Sequence, residues 1–444
     1  MRTSRRTFLK GAAAAGAPFI LPSHIWAAET GPNDRIVMGC IGMGTQLRGL
    51  MSNFMNQDGV QVVGVCEVDT TRREDARRIA NEYYEKNPSK GTADVKGYND
   101  FRELVARRDV NAIVIATPDH WHGIQTVAAL NAGKDVYCEK PLTHNVHESI
   151  EIMKAAEKNK RIVQTGSQQR SDREFRVACE LVRNGAIGKI THAVASFGGP
   201  ARPYDKQAEE MEPGLDWNMW LGPAQMAPYH SEVCPRGVHR GFPGWRNFRE
   251  FGGGGVADWG AHHLDIAHWG LDMDASGPVE IVPVEGKHEA VLTYSNGIKV
   301  YHKGGFGCEF HGEDGVVRVN RGRFTFTRGE EKVAWFAGGE DEESKGTSCE
   351  AQVRKAEREY LADAKVKLYE SKGGHLRDFL ACMRSRQQPC AHAEIGGRTA
   401  IACNLLNQAY YNKTKIVWDP KALKLGGGGD PKWLTRDYRA PFIV

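Results

Sequence analysis

The feature that most constrains the fold of this chain is a glycine-rich turn between two short apolar stretches. Residues 35–41 predict a buried strand, and residues 47–54 predict a helix. Gly42 suits a tight turn, and Gly44 lets the backbone approach a pyrophosphate at the helix N-terminus. The third glycine of the G-x-G-x-x-G pattern is replaced by Leu47, so the pattern needs support from its surroundings.

The next apolar run supplies that support. Residues 60–66 are rich in valine and end just before Glu67, where a dinucleotide-binding fold places the carboxylate that holds a ribose diol. A carboxylate repels the additional phosphate of NADP, so Glu67 favours NAD. Arg72 and Arg73 follow closely and keep NADP open as the alternative.

Strands and helices alternate as far as residue 150, which predicts a doubly wound parallel sheet. Continuous apolar runs at 111–116 and 135–138 predict two further buried strands. Ligands bind at the carboxyl ends of such strands. We therefore expect the cofactor-binding residues to be Gly42, Met43, Gly44, Thr45, Gln46, Glu67, Thr117, Pro118, His122, Glu139 and Lys140.

The length of 444 residues favours two domains. We predict an NAD(P)-binding Rossmann domain over residues 33–155 and an α+β substrate and dimerisation domain over 156–444. Alternating apolar residues between 280 and 330, with a Ser-Asn-Gly hairpin signal at 295–297, predict a mostly antiparallel open sheet in the second domain. An open sheet face of this kind favours a homo-oligomer.

The N-terminus predicts export. Arg5 and Arg6 precede Phe-Leu-Lys and a mild apolar stretch, and Ala27-Ala28 offers a cleavage site, so residues 1–28 are predicted to be a twin-arginine signal peptide. The twin-arginine export machinery is then a partner, and the protein is periplasmic or otherwise exported. Cleavage removes four basic residues and leaves Lys+Arg equal to Asp+Glu, which argues against nucleic acid and anionic membranes as partners.

Two further features follow from composition. No apolar run of about 20 residues lies outside the N-terminus, so no internal membrane span is expected. The chain has ten cysteines. Cys40, Cys66 and Cys138 lie in or beside strand runs, where buried free thiols are the expected state.

Several motifs occur in the order that one family shows. Gly42 and Gly44, then Glu67, then Ala-Thr-Pro-Asp-His-Trp-His at 116–122, then Glu-Lys-Pro at 139–141 resemble the Gfo/Idh/MocA family of glucose–fructose oxidoreductases and inositol dehydrogenases. The start of the chain also resembles the exported branch of that family. The resemblance implies a carbohydrate substrate and bound NAD(P).

The resemblance further implies that the lysine of Glu-Lys-Pro and an Asp-x-x-x-His pair carry catalysis. Those residues are Lys140, Asp258 and His262, with His263 as an adjacent alternative. A lysine can stabilise a developing alkoxide, and a histidine can accept the hydroxyl proton. Asp258 and His262 are four residues apart, which places them on one face of a predicted helix.

A long irregular region, 198–255, precedes that pair and is rich in Gly, Pro and Trp. Aromatic rings can stack on the C–H surfaces of sugars, and long loops are often functional. We expect substrate contacts from Trp217, Trp220, Tyr229, His239, Arg246 and His263.

Three functions remain open at this stage. The protein could be a sugar oxidoreductase with tightly held NAD, because free NAD is scarce outside the cytoplasm. It could be a redox-neutral glycoside hydrolase, which needs a further acid or base, for which Tyr204, Tyr229 and His239 are candidates. It could be a non-catalytic sugar-binding protein. A metal site at His262, His263, Asp265 and His268 would leave the glycine turn unexplained, so none is predicted.

Overall fold

The computed structural model describes residues 35–211, 213–427 and 429–444. The predicted signal peptide, residues 1–28, lies outside these described residues. Ile36–Val444 form one compact unit. No helix in the described ranges is long and apolar enough to cross a membrane.

The first sheet has six parallel strands in the order β3-β2-β1-β4-β5-β6. This order reverses between β1 and β4, which is the arrangement of dinucleotide-binding folds. The predicted Rossmann fold is therefore confirmed. The sheet includes a strand after residue 155, where the first predicted domain ends. The strands are β1 Ile36–Ile41, β2 Val60–Cys66, β3 Lys96–Tyr98, β4 Ala112–Ile115, β5 Asp135–Cys138 and β6 Val163–Thr165.

Helices connect these strands. Leu47 is fully buried in the core between the first helix and the sheet. A leucine at the position of the third glycine therefore contributes apolar packing there. The helices are α1 Thr45–Met55, α2 Thr70–Lys86, α3 Phe101–Val105, α4 Asp119–Asn131 and α5 Val146–Asn159.

The second sheet has ten strands in the order β14-β13-β12-β11-β7-β10-β9-β8-β15-β16. Only the β7–β10 pair is parallel among its described strand pairs, so the predicted mostly antiparallel sheet is confirmed. The strands are β7 Ile190–Ala195, β8 Pro278–Pro283, β9 Ala290–Tyr294, β10 Lys299–His302, β11 Cys308–Gly312, β12 Gly315–Asn320, β13 Arg323–Arg328, β14 Glu331–Phe336, β15 Ile416–Asp419 and β16 Lys424–Leu425.

Several of the remaining helices pack on the second sheet, whereas His375–Ser385 packs in the core of the first sheet. The last long helix, Ala393–Asn412, is apolar around most of its circumference and contacts α5, β6 and β8. Its burial from both sides makes the two sheets one packed body. The helices are α6 Arg173–Arg183, α7 Trp217–Leu221, α8 Gly254–Asp258, α9 Gly260–Gly270, α10 Cys349–Tyr360, α11 His375–Ser385 and α12 Ala393–Asn412.

A buried ion-pair cluster joins these layers. Arg170, just after β6, donates to Asp265 of α9 at 2.7 Å and to Asp274 at 2.7 Å. Thr399 of α12 donates to the other oxygen of Asp265 at 3.1 Å. Asp265, considered above as a possible metal ligand, is thus bonded to an arginine and a hydroxyl.

The ten cysteines are free, and nine of them are buried. The prediction of buried free thiols at Cys40, Cys66 and Cys138 is confirmed. Burial raises the pKa of the Cys40 thiol to about 12, because the thiolate would lose its hydration.

Replacing Arg170 with leucine should lower the free energy of unfolding by about 3–5 kcal/mol, because the buried carboxylate of Asp265 would lose its partner. The matched control is Arg354→Leu, which removes the exposed pair with Glu350 and should cost about 0–1 kcal/mol. Guanidinium unfolding of both variants measures the difference. Equal effects of the two substitutions would contradict this account.

Candidate active site

The glycine turn after β1 has the geometry that the sequence predicts. Gly42 has φ +91°, and a Cβ there would lie 2.7 Å from Cγ2 and 2.8 Å from the backbone nitrogen of Thr117. Only glycine fits such a position without displacing the end of β4. A Cβ on Gly44 would meet no protein atom within 4 Å. The backbone at Gly44 therefore leaves space for a ligand beside the N-terminus of α1.

This turn forms one wall of a cleft at the carboxyl ends of the strands, which we call the nucleotide cleft. Most of the predicted cofactor residues line it, whereas Met43 is buried in the core beneath it. The predicted residues that line the nucleotide cleft are Gly42, Gly44, Thr45, Gln46, Glu67, Thr117 and Pro118.

Glu67 lies at the end of β2, where the ribose carboxylate was predicted. It is buried, and its Oε1 accepts the N–H of Asp69 at 3.1 Å. Burial raises the pKa of its carboxyl group. Arg72 donates to Gly237 O at 2.9 Å, and Arg73 donates to Glu67 O at 2.7 Å. Both guanidinium groups are thus engaged by protein carbonyls, which favours NAD over NADP.

Residues 233–246, here called the covering segment, form the opposite wall of the nucleotide cleft. Cys234, His239 and Trp245 of this segment line the cleft. The hydroxyl of Thr45, the first residue of α1, donates to Gly241 O at 2.8 Å. Its Oγ1 also lies 3.4 Å from His239 Nδ1. His239, predicted to contact substrate, is instead placed at the glycine turn.

A second cavity adjoins the nucleotide cleft and shares Gln46, Thr117 and Arg246 with it. We call it the substrate cavity. Lys140, Asp258 and His262 all line it, together with Glu139 and His122. The structure thus brings the three predicted catalytic residues together beside the predicted cofactor site.

Asp258 lies between two cations. Lys140 Nζ forms an ion pair with Asp258 Oδ1 and lies 3.2 Å from its backbone oxygen. Arg246 Nε lies 3.9 Å from the same Oδ1. The pairing fixes Lys140, at the end of β5, against the C-terminus of α8. Arg246, a predicted substrate contact, lines both the substrate cavity and the nucleotide cleft.

His262 and Asp258 belong to two short helices, not to one helix as predicted, because the helix is interrupted at Trp259. His262 Nε2 lies 3.1 Å from Arg321 Nη2, and a guanidinium can only donate, so Nε2 accepts. The ring proton is then on Nδ1, which is buried without a partner among the described residues. Burial, with the charges of Lys140 and Arg321, holds the pKa of His262 well below its usual value.

The adjacent histidine points elsewhere. His263 Nδ1 lies 2.5 Å from Ser196 O, and His263 does not line the substrate cavity. The prediction that His263 contacts substrate is therefore not supported by this placement. His268, considered above as a metal ligand, has its Nε2 2.7 Å from the Tyr294 hydroxyl.

The predicted aromatic sugar face is a small apolar core. Trp217 stacks on Trp220 with ring centroids 4.6 Å apart, and Tyr229 meets Trp217 edge-on at 5.4 Å. Trp220 and Tyr229 are buried, and Tyr204 packs on the same cluster. Trp220 also lines the nucleotide cleft, whereas Trp217 and Tyr229 line neither that cleft nor the substrate cavity. The rings pack on one another, and this packing could not be predicted from the sequence.

Two predicted cofactor residues act as supports at the strand ends. His122 Nδ1 lies 2.7 Å from Pro141 O and its Nε2 lies 2.9 Å from Thr117 O. Burial lowers the pKa of His122 to about 4. Glu139 Oε1 accepts from Gln46 at 3.0 Å and from Gln168 at 2.8 Å. These contacts hold the chain on either side of Lys140.

Several residues of the substrate cavity were not predicted, among them Asp119, Trp259 and Arg321. Asp119 lies at the first turn of α4, and the residue is 4% exposed. Burial raises the pKa of Asp119 to about 7. An acid directly after a buried strand end is a signal that could have identified it.

Comparison with known proteins supports an oxidoreductase class for this fold and site. Residues 36–167 match the oxidoreductase family with an NAD-binding Rossmann fold, and residues 204–442 match the C-terminal α/β domain of the same family. The chain therefore belongs to the Gfo/Idh/MocA oxidoreductase family, and its first domain is the family's NAD-binding domain.

Curated relatives and a solved structure agree with this assignment. A glycosyl hydrolase family 109 protein of a Shewanella species is 29% identical over 210 residues, which are 44% of this chain and 45% of the relative. An inositol 2-dehydrogenase of Rhodococcus jostii is 36% identical over 129 residues, 28% of this chain and 35% of that one. The matches thus span less than half of these relatives.

Among solved structures, an aldose–aldose oxidoreductase from Caulobacter crescentus shares the fold with a TM-score of 0.56 at 16% identity. The alignment covers 86% of this chain and 99% of that chain. Both sheets of the present structure are therefore part of a known architecture.

Gly44→Ala should weaken NAD binding at least tenfold while changing the free energy of unfolding by about 1 kcal/mol or less. The added methyl group meets no protein atom within 4 Å, so its effect would fall on the ligand. Calorimetric titration with NAD measures it. The control Gly49→Ala, equally open but exposed on α1, should bind NAD normally. Unchanged NAD binding by Gly44→Ala would contradict the placement of the pyrophosphate.

Asp119→Asn should remove a pH dependence of stability. The folded pKa of Asp119, about 7, lies above its ordinary value of 3.8, so the folded state keeps a proton that the unfolded chain releases. Its contribution to stability therefore falls as pH rises between these values, by about 1.4 kcal/mol per pH unit at most. Unfolding of the variant should lack that slope, whereas the exposed control Asp94→Asn should keep it. Parallel pH profiles of wild type and Asp119→Asn would refute the assignment.

Proposed function

We propose that this protein is an oxidoreductase that keeps NAD bound and oxidises a hydroxyl group of a sugar or glycoside. The observation that carries the proposal is the Lys140–Asp258 pair, which lies in a cavity that adjoins the nucleotide cleft. NAD, when bound, accepts a hydride from the carbon that bears the hydroxyl. Gly42, Gly44 and Glu67 are the residues that would hold it.

The chain's own residues handle the oxygen and its proton. Lys140 Nζ can donate to the reacting oxygen and stabilise the negative charge that develops there, while Asp258 keeps the ammonium in place. His262 is neutral at neutral pH and can accept a proton at Nε2, the nitrogen that carries the lone pair. That transfer requires the Arg321 N–H group that donates to Nε2 to move away, because it occupies the lone pair.

Retention of the cofactor is part of the proposal. The covering segment, residues 233–246, faces the glycine turn and is bonded to Thr45. A nucleotide between these two walls would leave only after the segment had moved. Retention suits an exported protein, and we propose that residues 1–28 direct this chain to the twin-arginine machinery. The homo-oligomer stays a prediction from the open sheet.

A redox-neutral glycoside hydrolase is the second candidate. That reaction needs an acid or base in addition to the groups that oxidise the sugar. Tyr204 and Tyr229 pack in the aromatic core, and His239 lies at the glycine turn. Asp119 lines the substrate cavity, and its pKa of about 7 lets it hold or release a proton near neutrality. The name of the Shewanella relative also favours this candidate.

Turnover of the purified protein without added cofactor separates these functions. Aryl glycosides and free sugars are offered in deuterated water, and both aglycone release and carbon-bound deuterium are followed. Release with deuterium incorporation would establish the hydrolase. Reduced nicotinamide formed from a free sugar and NAD would establish the dehydrogenase. Sugar binding with neither reaction would contradict both and leave a sugar-binding protein.

Lys140→Met should lower kcat by about 100-fold or more in either reaction, because one cationic donor to the reacting oxygen is lost. Sugar binding should change less than turnover. The control Lys154→Met replaces an exposed lysine of α5 and should leave kcat unchanged. If Lys140→Met retained wild-type kcat, the role assigned to Lys140 would be wrong.

A further inference from the structure

Arg321 is a cation of the substrate cavity that the proposed function does not use. It lies in the turn between β12 and β13, and it lines the cavity together with Lys140, Asp258 and His262. We propose that Arg321 binds a carboxylate of the substrate, so that this site acts on acidic sugars such as uronic acids and their glycosides. This inference rests on the proposed function and names its substrate class.

Arg321 differs from the other cations of the substrate cavity in its acidic partners. Lys140 and Arg246, the other two cations of the substrate cavity, both have Asp258 as a partner. No carboxylate in the described ranges lies within 4.0 Å of the Arg321 guanidinium. Asp172 is near enough for its carboxyl pKa to be affected by the charge of Arg321, yet it forms no ion pair with it. A carboxylate of a substrate could therefore form an ion pair with Arg321.

In this structure Arg321 is positioned by contacts that include no acid. Its guanidinium lies over the ring of Trp259, 5.1 Å from the ring centre, and Nη2 donates to His262 Nε2 at 3.1 Å. Its backbone N–H donates to Asn320 Oδ1 at 2.8 Å, which orders the turn. A planar guanidinium fixed in this way keeps further N–H donors for a carboxylate, which it can bind through two parallel hydrogen bonds.

The neighbouring His262 fixes the direction of its hydrogen bond with Arg321. His262 is 3% exposed, and its Nδ1 is buried without a partner in the part of the chain that the structure describes. Because Nε2 accepts from Arg321, Nδ1 carries the proton and needs an acceptor. The imidazole therefore holds Arg321 at the cavity through Nε2, and Arg321 keeps N–H groups other than this donor for a ligand. An ionised carboxylate, which only accepts, suits these guanidinium donors.

A purely structural role predicts a different arrangement. Arg323, two residues further along, stacks on Phe306 at 4.5 Å and donates to Phe306 O at 3.1 Å. Arg323 lines neither the nucleotide cleft nor the substrate cavity, so we assign it a packing role only. Arg321 makes a similar aromatic contact, but it does so at the wall of the cavity. Arg323 is therefore the matched control.

Calorimetric titration of the holoenzyme tests the proposal with paired sugars that differ only in one carboxylate, glucose with glucuronate and galactose with galacturonate. Wild type should bind the acids more tightly. Arg321→Gln should weaken binding of the acids about 10–100-fold, as expected for a hydrogen bond between charged groups, and leave the neutral sugars unchanged. Arg321→Lys should lie between the two, and Arg323→Gln should match wild type.

The outcomes are separable from those of the proposed function. Circular dichroism and NAD content of each variant show whether it is folded and loaded. No preference for the acid within either pair, or equal weakening of acids and neutral sugars in Arg321→Gln, would overturn the proposal. Tighter binding of glucose 6-phosphate than of glucuronate would overturn the carboxylate assignment. If uronate binding depended on Arg321 but no hydride transfer occurred, the proposed oxidoreductase function would be refuted. The proposed carboxylate-binding site would still be supported.

Discussion

The ion pair between Lys140 and Asp258 is the contact on which the site depends. The two residues are 118 positions apart and come from different layers, the end of β5 and the end of α8. Their meeting requires the two sheets to be held as one body, which α12 and the buried Arg170–Asp265 pair achieve. Because the pair joins a strand end to a helix end, it also connects the nucleotide cleft with the substrate cavity.

Burial sets the chemistry around that pair. Glu67, Glu139 and Asp119 are carboxyl groups whose pKa values are raised by burial, and His122 and His262 are imidazoles whose pKa values are lowered. The nucleotide cleft and the substrate cavity thus combine carboxyl groups of raised pKa and imidazoles of lowered pKa with the cationic side chains of Lys140, Arg246 and Arg321. Such an arrangement directs positive charge at an oxygen that gains negative charge.

The sequence predicts the first domain well because neighbouring parallel strands end at one edge, so motifs after successive strands must converge. Glu67, Thr117 and Lys140 follow from that rule alone. The mutual packing of Trp217, Trp220 and Tyr229 could not be predicted, because composition does not show whether rings face one another or a ligand. Arg321 was missed because it is 59 residues from His262 in the sequence. The register of the second sheet brings the two side chains together, and no local sequence pattern encodes that register.

We propose that a sugar hydroxyl beside Lys140 is oxidised by NAD that stays bound. The most direct test incubates the purified protein with sugars deuterated at every carbon that bears a hydroxyl. The protein is then denatured, and the released nicotinamide is analysed by mass spectrometry. The account predicts deuterium on the nicotinamide ring for wild type and much less for Lys140→Met. Bound sugar with nicotinamide free of deuterium in wild type would contradict it.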